Sequence, residues 1–289
     1  MRHAAKSTHT QLFGPEKPAP SLSVIIVAYN TDELEEGLRA LAIQKFEGFE
    51  TIVVDNDSES LEMLAEYDLR YFKLDRNHGL SAGRNFAAEH AHAPVLAFLD
   101  DDAIPDEQWT ARIHSAFADP EVVGVRGTAL PRTATIFNHL AYHYNLGDEV
   151  VPAMLDFEAN IATRTAPFRE VNGFDPALFG GEGSELSKRL SPYGKLLYIP
   201  DLVVRHDYAD SMRHYLRKQY RHAFRRHTQV LAGTYDPGPE LPAESKRARR
   251  PRTQIARLQV DVIQRLGDYA DLAGILAARL SARWRSLRT

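Results

Sequence analysis

The chain has 289 residues, of which 44% are hydrophobic and 26% charged, and it contains no cysteine. This length and composition suit one large α/β domain with an appendage and argue against a largely disordered chain. The absence of cysteine excludes disulfides, thiolate metal sites and cysteine nucleophiles.

The net charge of −4 conceals an uneven distribution of charge along the chain. Residues 205–289 contain 18 Lys and Arg against 8 Asp and Glu, whereas residues 1–204 contain 17 against 31. The basic part would face solvent, or it would meet an anionic lipid surface or a phosphate-bearing acceptor. Residues 1–20 have no signal-peptide core, and no later run reaches the ~20 apolar residues of a membrane span. We therefore expect a cytoplasmic protein, with peripheral contact to the inner face of the membrane as an option, and no nucleic-acid partner.

Short β-branched runs alternate with helical patterns from residue 21 to about residue 130. Unbroken apolar runs are typical of strands buried on both faces, and Thr31 and Asp32 offer N-cap chemistry for the first helix. The predicted strands are 23–30, 50–56, 69–74, 95–102 and 122–127, and the predicted helices are 31–44, 58–67, 80–90 and 106–117. Successive β-α-β units predict an α/β fold with a Rossmann-like, mostly parallel central sheet and helices on both faces.

Beyond residue 130 the pattern is weaker. We expect a mobile or acceptor-facing segment at 131–155, a strand at 156–166 and the start of a helix at 185–191. Two basic helices are expected at 210–230 and 253–286, with a linker between them at 236–252. The predicted organisation is a flexible segment at 1–20, one α/β domain at 21–210 with halves of about 21–130 and 131–210, and a helical extension at 211–289.

Polar residues follow directly on three of the predicted strands. These are Tyr29 and Asn30, then Asp55, Asn56 and Asp57, then Asp100, Asp101 and Asp102. Doubly wound sheets bind ligands at the carboxyl ends of their strands, so this edge is the expected site.

The triplet Asp100, Asp101 and Asp102 carries the strongest chemical signal. In an extended segment Asp100 and Asp102 point to the same side, so one can hold Mg²⁺ or Mn²⁺ while the other reaches a ribose or a metal-bound water. A divalent cation would neutralise a diphosphate that bare carboxylates repel. The alternative is a solvated acidic turn before the next helix, which the buried strand VLAFL ahead of the triplet disfavours.

The segments SVIIVAYN, IVVDNDS, NHGLSAGRN and AFLDDDAIP, in this order, resemble the donor half of family 2 glycosyltransferases with the GT-A fold. The resemblance covers residues 21–210. It implies a nucleoside-diphosphate sugar donor, with a UDP-sugar favoured over a GDP- or dTDP-sugar, and Mn²⁺ or Mg²⁺ as cofactor. It also implies transfer to a hydroxyl group of a saccharide, lipid-linked or natural-product acceptor.

The same resemblance implies roles for individual residues. Tyr29, next to Ala28, would stack near the base; Asn30 and Asp55, with Asn56, would contact the nucleoside; and Asp100 and Asp102 would form the metal-binding DxD around Asp101. The segment with Asn77, Gly79, Gly83, Arg84 and Asn85 would close against diphosphate and ribose. A glycine turn leading into a helix offers free N–H groups to phosphate, although such turns are also ordinary loop chemistry.

The segment VNGFDPALFGGEGSELSKRL at 171–190 resembles the acceptor-side motif of the family. Inverting members usually place Glu-Asp here with Asp as general base, but this chain has Glu182 followed by Gly183. The text GGEGSEL is similar to a motif of polypeptide N-acetylgalactosaminyltransferases, which retain configuration. If the reaction inverts, Glu182 is the first candidate base and Glu185 the second, while Glu185 would otherwise pair with Arg189 one turn later.

The run LVVRH delivers His206 to the same edge of the sheet, at a position that in related GT-A enzymes supplies a further metal ligand. A neutral imidazole is a suitable ligand for Mn²⁺. On the basic helix that follows, Tyr215, Tyr220 and Phe224 would pack on the main domain or anchor at a lipid interface.

Three functions compete. The leading one is sugar transfer, of which a retaining transferase is a variant. The second is a sugar-nucleotide-binding protein without turnover, because Gly183 occupies the position of the usual base. A nucleotidyltransferase or dinucleotide oxidoreductase is disfavoured because no GxGxxG follows the first strand. Homo-oligomerisation stays open.

Overall fold

The computed structural model describes residues 9–13, 18–58, 62–133, 135, 145–178, 180–209, 211–233 and 254–286. The elements and contacts described below lie within these ranges. The predicted linker at 236–252 and much of the predicted segment 131–155 lie outside them.

A single sheet organises the chain from residue 9 to residue 205. Its strands are β1 (His9–Phe13), β2 (Leu22–Ala28), β3 (Phe49–Asp55), β4 (Arg70–Leu74), β5 (Val95–Asp100), β6 (Ile104–Pro105), β7 (Val122–Leu130), β8 (Val151–Pro152), β9 (Asn160–Arg164) and β10 (Lys195–Arg205). They lie in the order β1-β4-β3-β2-β5-β9-β7-β10-β6, and β8 also pairs with β10.

The strands β4, β3, β2 and β5 run parallel, as the β-α-β pattern predicts, and β7 and β10 form a second parallel pair. Strand β9 lies antiparallel between β5 and β7 and so joins the two groups. The mixed α/β fold with a mostly parallel centre and a C-terminal helical extension is confirmed.

In the part of the chain that the structure describes, five helices cover the two faces of the sheet and two more form the C-terminal extension. They are α1 (Leu34–Ala42), α2 (Leu80–His90), α3 (Trp109–Ala116), α4 (Thr165–Glu170), α5 (Glu182–Leu190), α6 (Met212–Leu231) and α7 (Gln254–Ser286). Alternate residues of β2 enter opposite cores because successive side chains of a strand point to opposite faces. Val24 and Ile26 pack with α1 and α3, whereas Ile25 and Val27 pack with α2, α4 and α5.

Two predicted helices differ in the structure. The first begins at Leu34 with Glu33 at the N-cap and no side-chain cap, because the Thr31 hydroxyl instead accepts a hydrogen bond from the Glu33 N–H in a turn. In the described part of the segment 58–67, predicted as a helix, there is a 3₁₀ turn, Glu62–Glu66. The Ser58 N–H donates to the Asp55 carboxylate, so this end of the segment is held in a turn and not in a helix.

The segment 1–20, predicted to be flexible, contributes strand β1, which pairs antiparallel with the free edge of β4. An edge strand offers unpaired N–H and C=O groups, and an adjacent extended segment can satisfy them.

The C-terminal extension is a pair of packed helices. Helix α6 begins at the N-cap Ser211, whose hydroxyl accepts from the His214 N–H. Tyr215 is buried against Tyr208 and against Ile263 of α7, so it packs inside the protein, as one of the two alternatives predicts. No helix in the described ranges combines the length and apolar character that a bilayer crossing requires.

Candidate functional site

Asp100, Asp102 and His206 converge at the carboxyl edge of the sheet. One ligand atom from each lies within 4.8 Å of the others. His206 Nε2 is 3.2 Å from a carboxylate oxygen of Asp102 and 3.9 Å from one of Asp100. Two carboxylates and one imidazole make a donor set that suits Mn²⁺ and Mg²⁺.

The pairing of β6 with β10 brings these residues together. Asp100 ends β5, and the next residues lead directly into β6, where Ile104 is in register with Arg205 of β10. His206 follows Arg205, and its N–H donates to the Leu130 carbonyl at the end of β7. Two segments about one hundred residues apart in sequence therefore meet across one short antiparallel ladder.

The charges of the triplet influence one another. Burial, together with the neighbouring charges of Asp100 and Asp102, raises the pKa of Asp101 to about 7. Although burial acts the other way, the hydrogen bond and charge of His206 hold the pKa of Asp102 below its ordinary value. Burial lowers the pKa of His206, but the hydrogen bond to Asp102 and the charges of Asp102 and Asp100 outweigh it, so the pKa of His206 is raised. The site thus concentrates negative charge, which a cation would relieve.

Arg84 lies on the inner side of this cluster. Its guanidinium donates to Asp100 over 2.6 Å and to the Glu158 carbonyl over 3.2 Å, and it lies over the Phe174 ring. The side chain is almost fully buried on α2. Its implied contact with a diphosphate stays a prediction; in the structure it orients one of the triplet's carboxylates.

The turn after β2 lies beside the triplet. Ala28 ends the strand, and its carbonyl accepts the Asn56 N–H. The Tyr29 N–H points to the Asp101 carboxylate over 3.4 Å, and its ring is 49% exposed, which leaves it free to stack with a ligand. Asn30 has a positive φ of 47° and donates its N–H to the Ser58 hydroxyl.

Asp55, predicted to contact the nucleoside, is fully buried. One oxygen accepts the Ser58 N–H over 2.6 Å and the other accepts the Tyr71 hydroxyl over 2.5 Å. Burial and the bond to Asp55 raise the pKa of Tyr71, so this phenol stays protonated and donating. The carboxylate therefore fastens the turn after β3; nucleoside contact by Asp55 stays a prediction.

Asn56 and Asn77 link that turn to the start of α2. The Asn56 amide donates to the Asn77 side chain over 3.0 Å, and the same Asn77 oxygen accepts the Gly79 N–H. Gly79 has a φ of 88°, a backbone conformation that glycine adopts without steric cost. The network ties the N-terminus of α2 to the turn after β3.

Gly83 has a packing role in the structure. A Cβ on this residue would lie 2.7 Å from Cγ1 of Val27, so glycine lets α2 approach β2 directly. Its implied part in closing against the donor stays a prediction.

Glu182 and Gly183 form the start of α5. A Cβ at Gly183 would lie 1.8 Å from the Leu155 carbonyl oxygen, so the position cannot carry the Asp that inverting members usually place there. The Gly183 N–H donates to Glu158 over 2.6 Å. Burial, followed by the charge of Glu182, raises the pKa of Glu158, which indicates that the two carboxylates are neighbours.

Glu185 pairs with Arg189 one turn later on α5, through two guanidinium nitrogens. Arg189 also donates to the Val171 carbonyl. Glu185, the second candidate base, therefore forms the ion pair with Arg189 that the sequence suggests as its alternative role.

The sequence did not place Lys218, Glu158 or Arg132 beside the triplet; it offered Lys218 only as a basic residue that would meet lipid headgroups or an acceptor phosphate. Lys218 of α6 donates to the Tyr208 carbonyl and lies 4.3 Å from the centre of that ring. Burial lowers its pKa, and the charges of Asp102 and Asp100 act in the opposite direction, so the cation lies near the triplet. Arg132 donates to the Asp102 carbonyl and to Glu33 and Glu36, which ties the triplet's loop to α1. No contiguous motif marks these residues, and Lys218 lies within a run of basic residues.

A family model described as glycosyl transferase family 2 matches residues 23–169. A pre-mycofactocin glycosyltransferase of Mycobacterium tuberculosis is 27% identical over an alignment of 227 residues that covers 71% of this chain and 47% of that protein. The chain therefore spans about half the length of this curated relative.

Two solved structures share the fold. A mannosyltransferase from Pyrobaculum calidifontis, in complex with GDP-Man and Mn²⁺, has a TM-score of 0.59 and 20% identity over 95% of this chain and 78% of that one. GalNAc-T7 with UDP, GalNAc and Mn²⁺ has a TM-score of 0.55 and 19% identity over 80% of this chain and 54% of that one. The predicted GT-A fold is confirmed, while the likeness to the N-acetylgalactosaminyltransferase is one of fold alone.

Proposed function

Because the chain belongs to glycosyl transferase family 2, we propose that it transfers a sugar from a nucleoside-diphosphate sugar to a hydroxyl-bearing acceptor, with help from a divalent cation. The observation that carries this proposal is the convergence of Asp100, Asp102 and His206 at the carboxyl edge of the sheet. Ligands bind at this edge in open α/β sheets.

The three side chains fit a resident cation. Their ligand atoms are close enough to share one ion, and two of the three residues are carboxylates, which hard divalent cations prefer. Asp100, Asp102 and His206 would hold Mn²⁺ or Mg²⁺. When bound, such an ion supplies positive charge that stabilises a departing diphosphate.

Other residues of the chain support a diphosphate at this edge. The N-terminus of α2, after Gly79, has no side-chain cap and presents the positive end of the helix dipole. Arg84 and Lys218 add two cationic side chains next to the triplet. Their charge favours an anionic ligand over a neutral one.

Tyr29 and the turn after β3 are proposed to hold the nucleoside. The exposed Tyr29 ring offers a stacking surface, and the bonds of Asp55 to Ser58 and Tyr71 keep the turn in one conformation. A UDP-sugar is the favoured donor, and a GDP- or dTDP-sugar is the alternative. The neighbour GalNAc-T7 was solved with UDP and the mannosyltransferase with GDP-Man, so both nucleotides belong in a donor test.

Glu182 is proposed to take the acceptor proton in an inverting, in-line transfer. It lies at the N-terminus of α5, it is partly accessible, and Glu185 is held by Arg189. Burial, followed by the charge of the neighbouring Glu182, raises the pKa of Glu158, so Glu158 takes up a proton more readily than an ordinary glutamate. Such a pair suits proton transfer better than an isolated surface glutamate does.

A sugar-nucleotide-binding protein without turnover is the second candidate function. The observation that favours it is Gly183, where the packing against Leu155 leaves no room for a catalytic carboxylate. Glu182 must then act as base, or the reaction must retain configuration, or no transfer occurs.

Calorimetry with UDP and GDP, with and without Mn²⁺, tests the proposal. We expect one nucleoside diphosphate to bind in a Mn²⁺-dependent manner, and Asp102→Asn to weaken that binding roughly 100-fold or more, since a ligand carboxylate is lost. Asp201→Asn is the matched control, because Asp201 is exposed on β10 and lies outside the cluster. A thermal-shift panel that also includes NAD and nucleoside triphosphates tests the competing nucleotide classes.

The outcomes separate the candidates. Stabilisation by NAD alone would refute a sugar-nucleotide site. Binding of a nucleoside diphosphate without release of sugar from any donor, in an acceptor screen with Mn²⁺, would favour the binding protein. Release of sugar that Asp102→Asn abolishes would support the transferase.

A further inference from the structure

Helix α7 carries a stripe of exposed apolar side chains, which we call the α7 stripe. Its largest members are between 39% and 70% exposed: Val262, Leu266, Tyr269, Leu272, Leu276 and Leu280. Large apolar side chains exposed in a continuous row commonly mark an interaction site.

The stripe is separate from the face that packs on α6. Ile263 and Ala278 of that other face are buried, at 6% and 0% exposure. Glycines bring the two helices close together: a Cβ at Gly267 would lie 2.3 Å from the Tyr215 hydroxyl, and one at Gly274 would lie 2.6 Å from the Tyr220 carbonyl. One face of α7 therefore packs on α6, and α6 does not cover the α7 stripe on the other face.

The spacing of the stripe is that of a coiled-coil seam. Exposed apolar residues recur in steps of four, three, four, three and four, at Val262, Leu266, Tyr269, Ala273, Leu276 and Leu280. This 3.5-residue repeat keeps side chains aligned along a second helix. Insertion into a bilayer surface has no need of this period.

From this spacing we propose that the α7 stripe pairs with the α7 stripe of a second copy of the chain, in antiparallel orientation. An antiparallel pair centred on residue 271 places Val262 opposite Leu280 and Leu266 opposite Leu276. The repeat has two alternating apolar positions, and in this register each residue at one position faces a residue at the other position on the second copy. The two-fold axis then generates the same contact in the second half of the pair. Such a two-fold contact uses the same patch on both copies.

The sizes of the side chains favour the antiparallel arrangement. In this register the bulky Tyr269 faces the small Ala273 of the second copy, whereas a parallel pair would set tyrosine against tyrosine and alanine against alanine. Leu272 lies outside the repeat, yet it is 51% exposed. It lies next to the two-fold axis, where it would meet Leu272 of the second copy.

The area is sufficient for a specific dimer. If each of the six large side chains leaves on the order of 100 Å² uncovered, a symmetric pair buries roughly 1,200 Å², which reaches the range of specific interfaces. This pairing does not depend on the reaction proposed above.

Sedimentation velocity of the full chain tests the pairing. We expect a species of about 65 kDa, twice the chain mass of 32.5 kDa. Leu276→Glu would place two charges in the seam of the dimer and raise its dissociation constant roughly 100-fold or more. Gln264→Glu, which adds the same charge at an exposed site away from the stripe, is the matched control and is expected to stay dimeric. Circular dichroism would verify that both variants fold.

Engineered cysteines test the orientation, because the chain has no natural cysteine. The two copies of residue 280 would be ~27 Å apart along an antiparallel pair, at 1.5 Å per residue. Leu280→Cys alone is therefore expected to give no disulfide-linked dimer, whereas Val262→Cys combined with Leu280→Cys is expected to give one. Efficient cross-linking of the single variant would overturn the antiparallel arrangement.

A monomer at tens of micromolar, or a dimer that Leu276→Glu leaves intact, would overturn the proposal. Flotation with phosphatidylglycerol vesicles covers the lipid alternative. A monomeric protein that floats with these vesicles, and a Leu276→Glu variant that does not, would assign the stripe to a membrane surface instead.

Discussion

Replacing Gly183 with alanine tests why this chain departs from the usual acceptor-side motif. The added Cβ would lie 1.8 Å from the Leu155 carbonyl oxygen, 2.7 Å from a Glu158 carboxylate oxygen and 2.9 Å from the Leu155 carbonyl carbon. The first and third of these atoms are backbone, which cannot rotate away. Helix α5 or the segment with Leu155 must therefore shift.

The magnitude follows from this geometry. Overpacking a core with one methyl group costs about 1–3 kcal/mol when side chains can adjust. A clash with backbone belongs at or above the top of that range, so we expect the free energy of unfolding to fall by about 3 kcal/mol. For a chain of this length the melting temperature would fall by at least about 5 °C.

Differential scanning calorimetry measures this change. Ser184→Ala is the matched control: it lies one residue later on α5, already carries a Cβ, and is expected to melt close to the wild type. The larger change Gly183→Asp would supply the carboxylate that inverting relatives are expected to use, yet we expect it to destabilise further and to add no turnover. A Gly183→Ala variant that melts within about 1 °C of the wild type would refute the packing argument.

Three further changes test the candidate base, the turn after β3 and a histidine of α6. Glu182→Gln is expected to lower turnover roughly 100-fold or more with little change in donor affinity, in steady-state kinetics beside calorimetry, since only proton transfer is lost; full activity would remove Glu182 from the base role. Tyr71→Phe removes a donor from the buried Asp55 carboxylate and is expected to cost about 1.5–3 kcal/mol of unfolding free energy in urea titration; an unchanged midpoint would contradict it. Burial, then the charge of Lys218, lowers the pKa of His222 to about 4. The unfolded chain binds this proton near an ordinary pKa of about 6.5, so stability is lost as the pH falls between these values, and His222→Gln is expected to reduce the change in melting temperature between about pH 7 and about pH 5. An equal change in both proteins would refute that assignment.

Local patterns were enough to predict much of the donor half. The apolar runs at 23–30, 50–56 and 95–102 predicted the buried parallel strands, because a strand covered by helices on both faces must be apolar on both. They also located Asp100 and Asp102 at one edge, since the alternation of side chains along an extended segment is a local property. The resemblance of the run LVVRH to a metal-ligand position of related GT-A enzymes added the expectation that His206 joins them.

Contacts between distant segments decided the rest. Whether His206 lies beside Asp102 depends on the register of β6 against β10. The hydrogen bonding of the buried Asp55 carboxylate depends on the hydroxyl of Tyr71 from another strand. The ion pair of Glu185 with Arg189 depends on the folded helix, and the need for glycine at position 183 arises from the carbonyl of Leu155. A sequence pattern reports which face of an element is apolar, but burial and charge at a given atom arise from neighbours that only the folded chain brings within a few ångströms. For that reason the amino-acid sequence determined the sheet and its acidic edge, and the tertiary structure determined which of the acidic side chains remain accessible for chemistry.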